Sequence, residues 1–287
     1  MKNIPKVAKN LHHHFRSNPL TRDHIAAAFI RFFRYQMAWR LSGEPTVHPW
    51  IGGSRLIIGA GMRGVTGDAY MLLDEPRDML FCAHLLRPGD LFFDVGANVG
   101  SYSVIAAKVC GARAVAFEPA PETISQLLDN LRLNGIEDLV RIEQCAASNH
   151  QGTVRFTAGE NALNRVSESG TEVQCRTLDS FADETPLFVK VDVEGHEREV
   201  VEGAQKMFAK KGLKAVTLET PIEYRNAAFV DSMRQFGFEA YDYDPASREL
   251  TKTGLPDRHN TLFIKDVKFV AKRLKEGPKI EIAGRKF

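Results

Sequence analysis

Cysteine is scarce in this chain: four residues in 287, Cys82, Cys110, Cys145 and Cys175, with no C-x-x-C pair. That excludes a zinc ribbon and a disulfide-dense scaffold, and it predicts free thiols in a reducing compartment. Long apolar runs are also missing. The stretch from Ile25 to Leu41 is broken by Arg31, Arg34 and Arg40, which argues against a spanning helix, and no secretory leader pattern stands at the start. A cytoplasmic protein, peripheral to a membrane at most, is the expectation. Net charge is nearly absent too. A formal +2 gives the whole molecule no field that would select nucleic acid.

What is present is an ordinary globular composition, 44% hydrophobic and 26% charged, with its charge unevenly placed. Residues 1–40 carry eight Lys and Arg against one acid, Asp23, a net of +7 that leaves about −5 for the remainder. Residues 1–20, with His12, His13 and His14, read as solvated polar chain. Adjacent histidines diverge on any regular backbone and make a poor metal site. Thr21 is a candidate cap for a helix over 21–41, with Ile25, Phe29, Phe32, Phe33, Gln36 and Met37 along its apolar stripe. Such a helix suits packing on the main body or a homodimer contact, and its arginines also suit an acidic membrane surface.

From residue 43 to 76 glycines crowd the chain, with a short strand at Leu56 to Ile58 and a candidate lid around Thr66 and Gly67. A helix from Pro76 to Leu86 ends at Pro88-Gly89. Strands and helices then alternate. Apolar strands are expected at 91–95, 114–118, 140–144, 187–192, 215–219 and 261–264. Helices are expected at 101–110, 122–133, 197–210 and 229–236. Asn134-Gly135 supplies a left-handed cap to the second, and 153–156 with 173–175 reads as an inserted hairpin. Near-continuous apolar strands belong to a parallel sheet covered on both faces, so the fold class is α/β, doubly wound. The expected division is an appendage at 1–75, the main domain at 76–270 and a basic tail at 271–287.

The densest signal is Asp94-Val95-Gly96-Ala97-Asn98-Val99-Gly100, between the first strand and its helix. In an open parallel sheet this turn faces the ligand crevice. Gly96 and Gly100 clear side chains from a sharp turn, and the helix opening at Ser101 offers N–H groups to a carboxylate. A dinucleotide fingerprint would place a glycine where Asn98 stands, and Asp94 would repel a pyrophosphate. Asp94 suits a cationic group, an amine or a sulfonium. Glu118 ends the second strand 24 residues after Asp94, where a carboxylate can accept both hydroxyls of a ribose.

These pieces, with Phe117-Glu118-Pro119, Thr177-Leu178-Asp179 and Lys190-Val191-Asp192-Val193-Glu194-Gly195-His196-Glu197, together resemble the FkbM family of methyltransferases. The resemblance covers roughly residues 75 to 220. It implies a Rossmann-like class I methyltransferase domain with a mostly parallel seven-stranded sheet and helices on both faces, beside a helical and β N-terminal appendage. It also implies methyl transfer from S-adenosylmethionine to an oxygen of a sugar, saccharide or polyketide acceptor, as in polysaccharide assembly. Gly96 and Asn98 would then line the methionine moiety with Asp94 toward its amino group. Glu118, followed by Pro119, would hold the ribose, and Cys145-Ala146-Ala147 would border the adenine. Apart from the resemblance, the helix opening at Ser101 after Gly100 and the Thr66 hydroxyl are candidates for the methionine carboxylate. His196 departs from the alanine or phenylalanine usual at that position, which puts the acceptor side in question.

An alcohol nucleophile must lose its proton, so a base is needed within reach. Asp192 and Glu194 follow the fourth strand at the crevice, and with His196 they are the catalytic candidates. Asp192 also borders the cofactor. The two acids could instead share a divalent cation, although the sequence marks no metal ligands. Asp179 reads as a cap for the helix from Ser180, Glu219 and His259 as acceptor-side candidates, and Lys190 as a partner for an acid. Methylation of RNA or protein, a catalytically silent cofactor-binding module, and a dehydrogenase are the other readings.

Overall fold

In the computed structural model the described residues are 4–59, 62, 65–157, 166, 170–220, 227–254 and 259–287. The chain opens with helices α1 (Ile4–Ser17) and α2 (Ile25–Ser42), a hairpin of β1 (Thr46–Pro49) and β2 (Arg55–Ile58), and helices α3 (Thr66–Met71) and α4 (Pro76–Leu85). Next come β3 (Leu91–Val95), α5 (Ser101–Val104) running into a π-helical segment at Ile105–Val109, β4 (Arg113–Phe117), α6 (Pro121–Asn134) and β5 (Val140–Glu143). A small three-stranded sheet is made by β6 (Ala146–Ala147), β7 (Gly152–Phe156) and β8 (Thr171–Arg176). The chain continues through β9 (Phe188–Val191), α7 (Glu197–Glu202), α8 (Gln205–Ala209), β10 (Ala215–Glu219) and α9 (Ala227–Arg234). It ends with β11 (Glu239–Asp244), β12 (Glu249–Lys252), β13 (Asn260–Ile264), α10 (Val267–Lys275), β14 (Glu281–Ile282) and β15 (Arg285–Lys286).

The main sheet has eight strands, one more than expected, in the order β12-β11-β13-β10-β9-β3-β4-β5. From β10 to β5 every pairing is parallel, and β13, β11 and β12 join by antiparallel pairing. Successive residues of the parallel strands enter different cores. Phe92, Ala114, Phe188 and Ala215 pack on one face, and Phe93, Val115, Val189 and Val216 on the other. That two-sided burial is why these strands read as unbroken apolar runs. Each fully buried Phe contributes about 1.5–3 kcal/mol.

The N-terminal segment differs most from expectation. Residues 4–17, where no helix was expected, are helical; His12, His13 and His14 are exposed, as expected, and Phe15 of α1 is fully buried against Phe29 and Tyr70. Thr21 does not cap α2, because its hydroxyl donates to the Phe15 carbonyl. The buried face of α2 carries Ala28 and Tyr35, so Phe33 and Met37, expected in the stripe, are 59% and 61% exposed along with Ile30 and Leu41. No described helix is long and apolar enough to cross a membrane.

Two asparagines of α6 tie this appendage to the main body. The Asn134 side chain exchanges hydrogen bonds with both backbone groups of Arg55, and the Asn130 carbonyl accepts from Ile57 N. The expected helix over 197–210 is two helices, interrupted at Gly203, where a Cβ would stand 2.0 Å from the Ser148 carbonyl oxygen. The expected basic tail is folded. Its last residue, Phe287, is buried, and the Arg248 guanidinium donates to the carbonyls of Leu274, Gly277, Pro278 and Phe287. All four cysteines are buried and free.

Candidate functional site

A cleft of about 420 Å³ opens at the carboxyl ends of β3, β4 and β9. The turn after β3 forms its floor, where Gly96 has φ +79° and Asn98 φ +51°. Gly96 is required twice over. Its backbone is left-handed, and a Cβ would meet the Asp192 carbonyl oxygen at 1.9 Å. Ser101, Glu118, Pro119, Ala146 and Asp192 line the same cleft, with Cys145 and Ala147 beside Ala146.

Glu118 organises this floor. One carboxylate oxygen accepts from Asn98 N at 3.1 Å and the other from Ala120 N at 3.0 Å. Burial raises its pKa to about 7 against those two hydrogen bonds. Each oxygen keeps a lone pair for a ligand hydroxyl.

Three residues expected at the cofactor do not line the cleft. Asp94 is outside the lining. Register sets it beside Lys190, its Oδ2 accepts from Ser103 Oγ at 2.7 Å, and its other oxygen is buried with no partner. Gly100 backs onto Leu127, where a Cβ would stand 2.3 Å from a methyl carbon. Thr66 starts α3 without lining the cleft, and of the lid glycines Gly61 and Gly64 lie outside the described residues.

Around the mouth, charge is layered. Lys190, almost fully buried, holds Asp192 at 2.8 Å and faces the Tyr102 ring at 4.7 Å. Burial opposes its charge, and Asp192, Asp94 and Glu75 outweigh burial and raise its pKa. Burial likewise acts against Asp192, but Lys190 outweighs it and holds Asp192 below the ordinary carboxylate range. Glu194 lines the cleft from a left-handed backbone, φ +56°, and burial, then Glu219 and Asp192, push it up to about 7. A non-glycine residue held there stores strain that the neighbouring turn must sustain.

That turn is kept in place by Glu197, fully buried, whose Oε1 accepts from Val193 N and Gly195 N. Burial raises its pKa to about 8. His196 lines the cleft but is engaged by Ser148 Oγ at 3.0 Å and lies 3.4 Å from Glu199, and burial lowers its pKa. Glu219 is not in the lining. It grips His259 at 2.8 Å, raising that imidazole to about 9, and His259 does reach the cleft. Asp179 caps a different helix from the one expected, accepting from Met207 N in the first turn of α8. Among the described residues no group of three His, Cys, Asp or Glu side chains is arranged to hold a metal ion.

Glu75 and His14 were not visible as site residues in the sequence. Glu75 lines the cleft from just before α4, accepting from Tyr102 Oη at 2.8 Å and Asn260 Nδ2 at 2.6 Å, and burial, then Asp192, raises it to about 7. In sequence Glu75 is a residue before a helix-starting proline. Only the fold brings it beside Lys190.

These raised groups carry a sign for stability. Between pH 6.5 and 8 the folded chain holds more protons than the unfolded chain at Glu75, Glu118, Glu194, Glu197 and His259. Their contribution therefore falls as pH rises through that window. His84, lowered to about 4, opposes them mainly below it, and Lys265, lowered to about 8, mainly above it. Thermal melts of the ligand-free protein should show a lower Tm at pH 8 than at pH 6.5, by about 2–4 °C for each kcal/mol of linkage. A flat or rising Tm would contradict the arrangement.

Residues 94–245 match the family model of the methyltransferase FkbM domain. Over 75 residues the chain is 43% identical to 31-O-demethyl-FK506 methyltransferase FkbM of Streptomyces tacrolimicus, covering 25% of this chain and 27% of that relative. Over 125 residues it is 34% identical to hexuronic acid methyltransferase AglP of Haloferax volcanii, covering 40% of this chain and 49% of that relative. The chain thus spans about half or less of the length of these curated relatives. In structure it is similar to methyltransferase FkbM from Methylobacillus flagellatus, with a TM-score of 0.43 and 17% identity over 69% of this chain and 53% of that one. With more than half of its length matched by the domain, the chain belongs to the FkbM methyltransferase family.

Proposed function

We propose that this chain is an S-adenosylmethionine-dependent O-methyltransferase acting on a hydroxyl of a saccharide-like acceptor. The observation that carries the reading is the floor of the cleft, where Gly96 leaves room beside the Asp192 carbonyl and Glu118 presents a buried carboxylate beside Asn98. The spare lone pairs of Glu118 at the cleft floor fit a ligand that brings vicinal hydroxyls. In this reading Gly96, Asn98, Ser101, Glu118 and Pro119 hold the donor, and Ala146 borders its base. When bound, S-adenosylmethionine supplies an electrophilic methyl group.

The chain's own residues orient the acceptor and take its proton. Glu194 is the general base of this proposal. It lines the cleft, and with a pKa of about 7 it matches neutral operating conditions. Asp192 is a weaker base because Lys190 holds it ionised, and His196 is turned to Ser148. The name of one curated relative, a 31-O-demethyl-FK506 methyltransferase, supports oxygen as the acceptor atom, and that of the other, a hexuronic acid methyltransferase, supports a saccharide-like acceptor.

The test is incubation with methyl-labelled S-adenosylmethionine and a panel of nucleotide-sugars, oligosaccharides and RNAs. Label should enter a saccharide, and Glu194→Gln should lower kcat by about 10²–10⁴-fold with KM for the donor unchanged. Label only in RNA or protein would overturn the acceptor class, and unchanged kcat would remove Glu194 from the mechanism.

A further inference from the structure

A second, larger cleft of about 1130 Å³ adjoins the first, and the two share His14, Asp74, Glu75 and His259 in their walls. Its sides come from α1, from the start of α4, from the turn after β11 and from the C-terminal hairpin. Apart from residues 242–245, its lining lies outside the segment matched by the family domain. This wall is therefore a feature of the chain beyond the shared domain.

We propose that this second cleft is the acceptor site, and that α1 forms one of its walls, so the acceptor hydroxyl reaches the donor cleft past Glu75 and His259. The inference rests on reading the first cleft as the donor site.

Three observations support it. Methyl transfer needs two binding spaces that meet, because donor and acceptor must be aligned in line. These two clefts meet at the wall they share, His14, Asp74, Glu75 and His259, and Glu194 and Lys190 line the first of them. Helix α1 is built for the task. His13, His14 and Ser17 lie on one side and line the second cleft, whereas Phe15 is buried against Phe29 and Tyr70. Asp74, in the shared wall, is pushed up by burial, which the neighbouring His14 offsets in part. The chemistry of the walls selects the occupant. Asp74, Asp242 and Asp244 on one hand and Arg22 and Arg285 on the other offer both acceptors and donors. A hydrocarbon-rich acceptor would desolvate those charged groups and offer them no hydrogen bond. A molecule with many hydroxyls, each donor and acceptor, matches them.

Two methionines serve as reporters. Met79 lines only the donor cleft and Met71 only the second one. The chain is labelled with ¹³C at methionine methyls, with Met71→Leu and Met79→Leu giving the assignments. S-adenosylhomocysteine, then D-glucose and D-glucuronate, are titrated in. S-adenosylhomocysteine should move the Met79 signal and leave Met71 in place, and a saccharide should move Met71. Ser17→Trp, which fills the cleft from α1, should weaken the saccharide response at least tenfold and keep the nucleoside response, which also reports that the variant is folded. His13→Trp repeats this from a neighbouring position. If S-adenosylhomocysteine moves Met79 but the saccharides leave Met71 unmoved, or Ser17→Trp and His13→Trp both leave the saccharide response intact, the acceptor assignment fails and the donor reading stands. If S-adenosylhomocysteine moves neither methionine, the donor reading itself fails and takes the inference with it.

Discussion

Glu118→Ala is expected to weaken S-adenosylhomocysteine binding by about 100-fold or more, the equivalent of losing roughly 2.7 kcal/mol. The carboxylate is buried at the cleft floor and already fixes Asn98 N and Ala120 N. Removing it deletes the acceptors proposed for the ribose, each charge-assisted hydrogen bond contributing about 1.5–3 kcal/mol. It also frees the turn that shapes the floor. Glu118→Gln should recover little, because its amide nitrogen must face Asn98 N or Ala120 N, donor against donor. Calorimetry on both variants, with circular dichroism to confirm the fold, checks this. A loss below threefold would mean that the carboxylate does not touch the nucleoside.

Lys190→Met should be the most destabilising single change near the site, by about 3–5 kcal/mol. The methionine keeps a stem of similar length against the Tyr102 ring, so the loss isolates the charge. Without the ammonium, Asp192, Asp94 and Glu75 lose the cation that attracts all three. Removing one partner of a buried pair leaves an uncompensated charge, which is why the effect is far larger than that of a surface bridge. Adding Asp192→Asn to Lys190→Met should restore part of the stability, since a neutral amide no longer needs the cation. Urea unfolding measures both. A change under 1 kcal/mol for the single variant would show that these acids are protonated or solvated without it.

Much of the main domain was legible because its strands are apolar on both faces. Leu91 to Val95 and Ala215 to Glu219 announce themselves as buried strands, and Asn134-Gly135 ends α6 with the expected left-handed residue, φ +62° at Gly135. What stayed hidden are elements stabilised by contacts distant in sequence. α1 does not announce itself as a helix because contacts distant in sequence hold it, such as those of Phe15 with Phe29 and Tyr70. β11 and β12 are amphipathic and short, and their pairing with β13 decides them.

The site shows the same division. Gly96 and Glu118 were legible from spacing after a strand. Asp94 was placed correctly on its strand, but its side chain turns to Ser103 and lies beside Lys190, a register effect no local pattern reveals. Glu75, His14 and Glu197 act through partners far along the chain or through backbone groups of a turn, and spacing carries no sign of either.

The reversed direction of β13 has its own consequence. Its neighbour β10 ends with Glu219 on the side of the sheet where the cleft opens, and register sets Asn260, the first residue of β13, opposite Glu219. Had β13 run the same way as β10, its opening would lie at the far rim, roughly 14 Å off for a strand of this length. Glu219 would then have no imidazole to clasp, and Glu75 no amide. One backward strand thus lets the final quarter of the polypeptide contribute His259 to the wall of a cleft framed otherwise by the parallel strands.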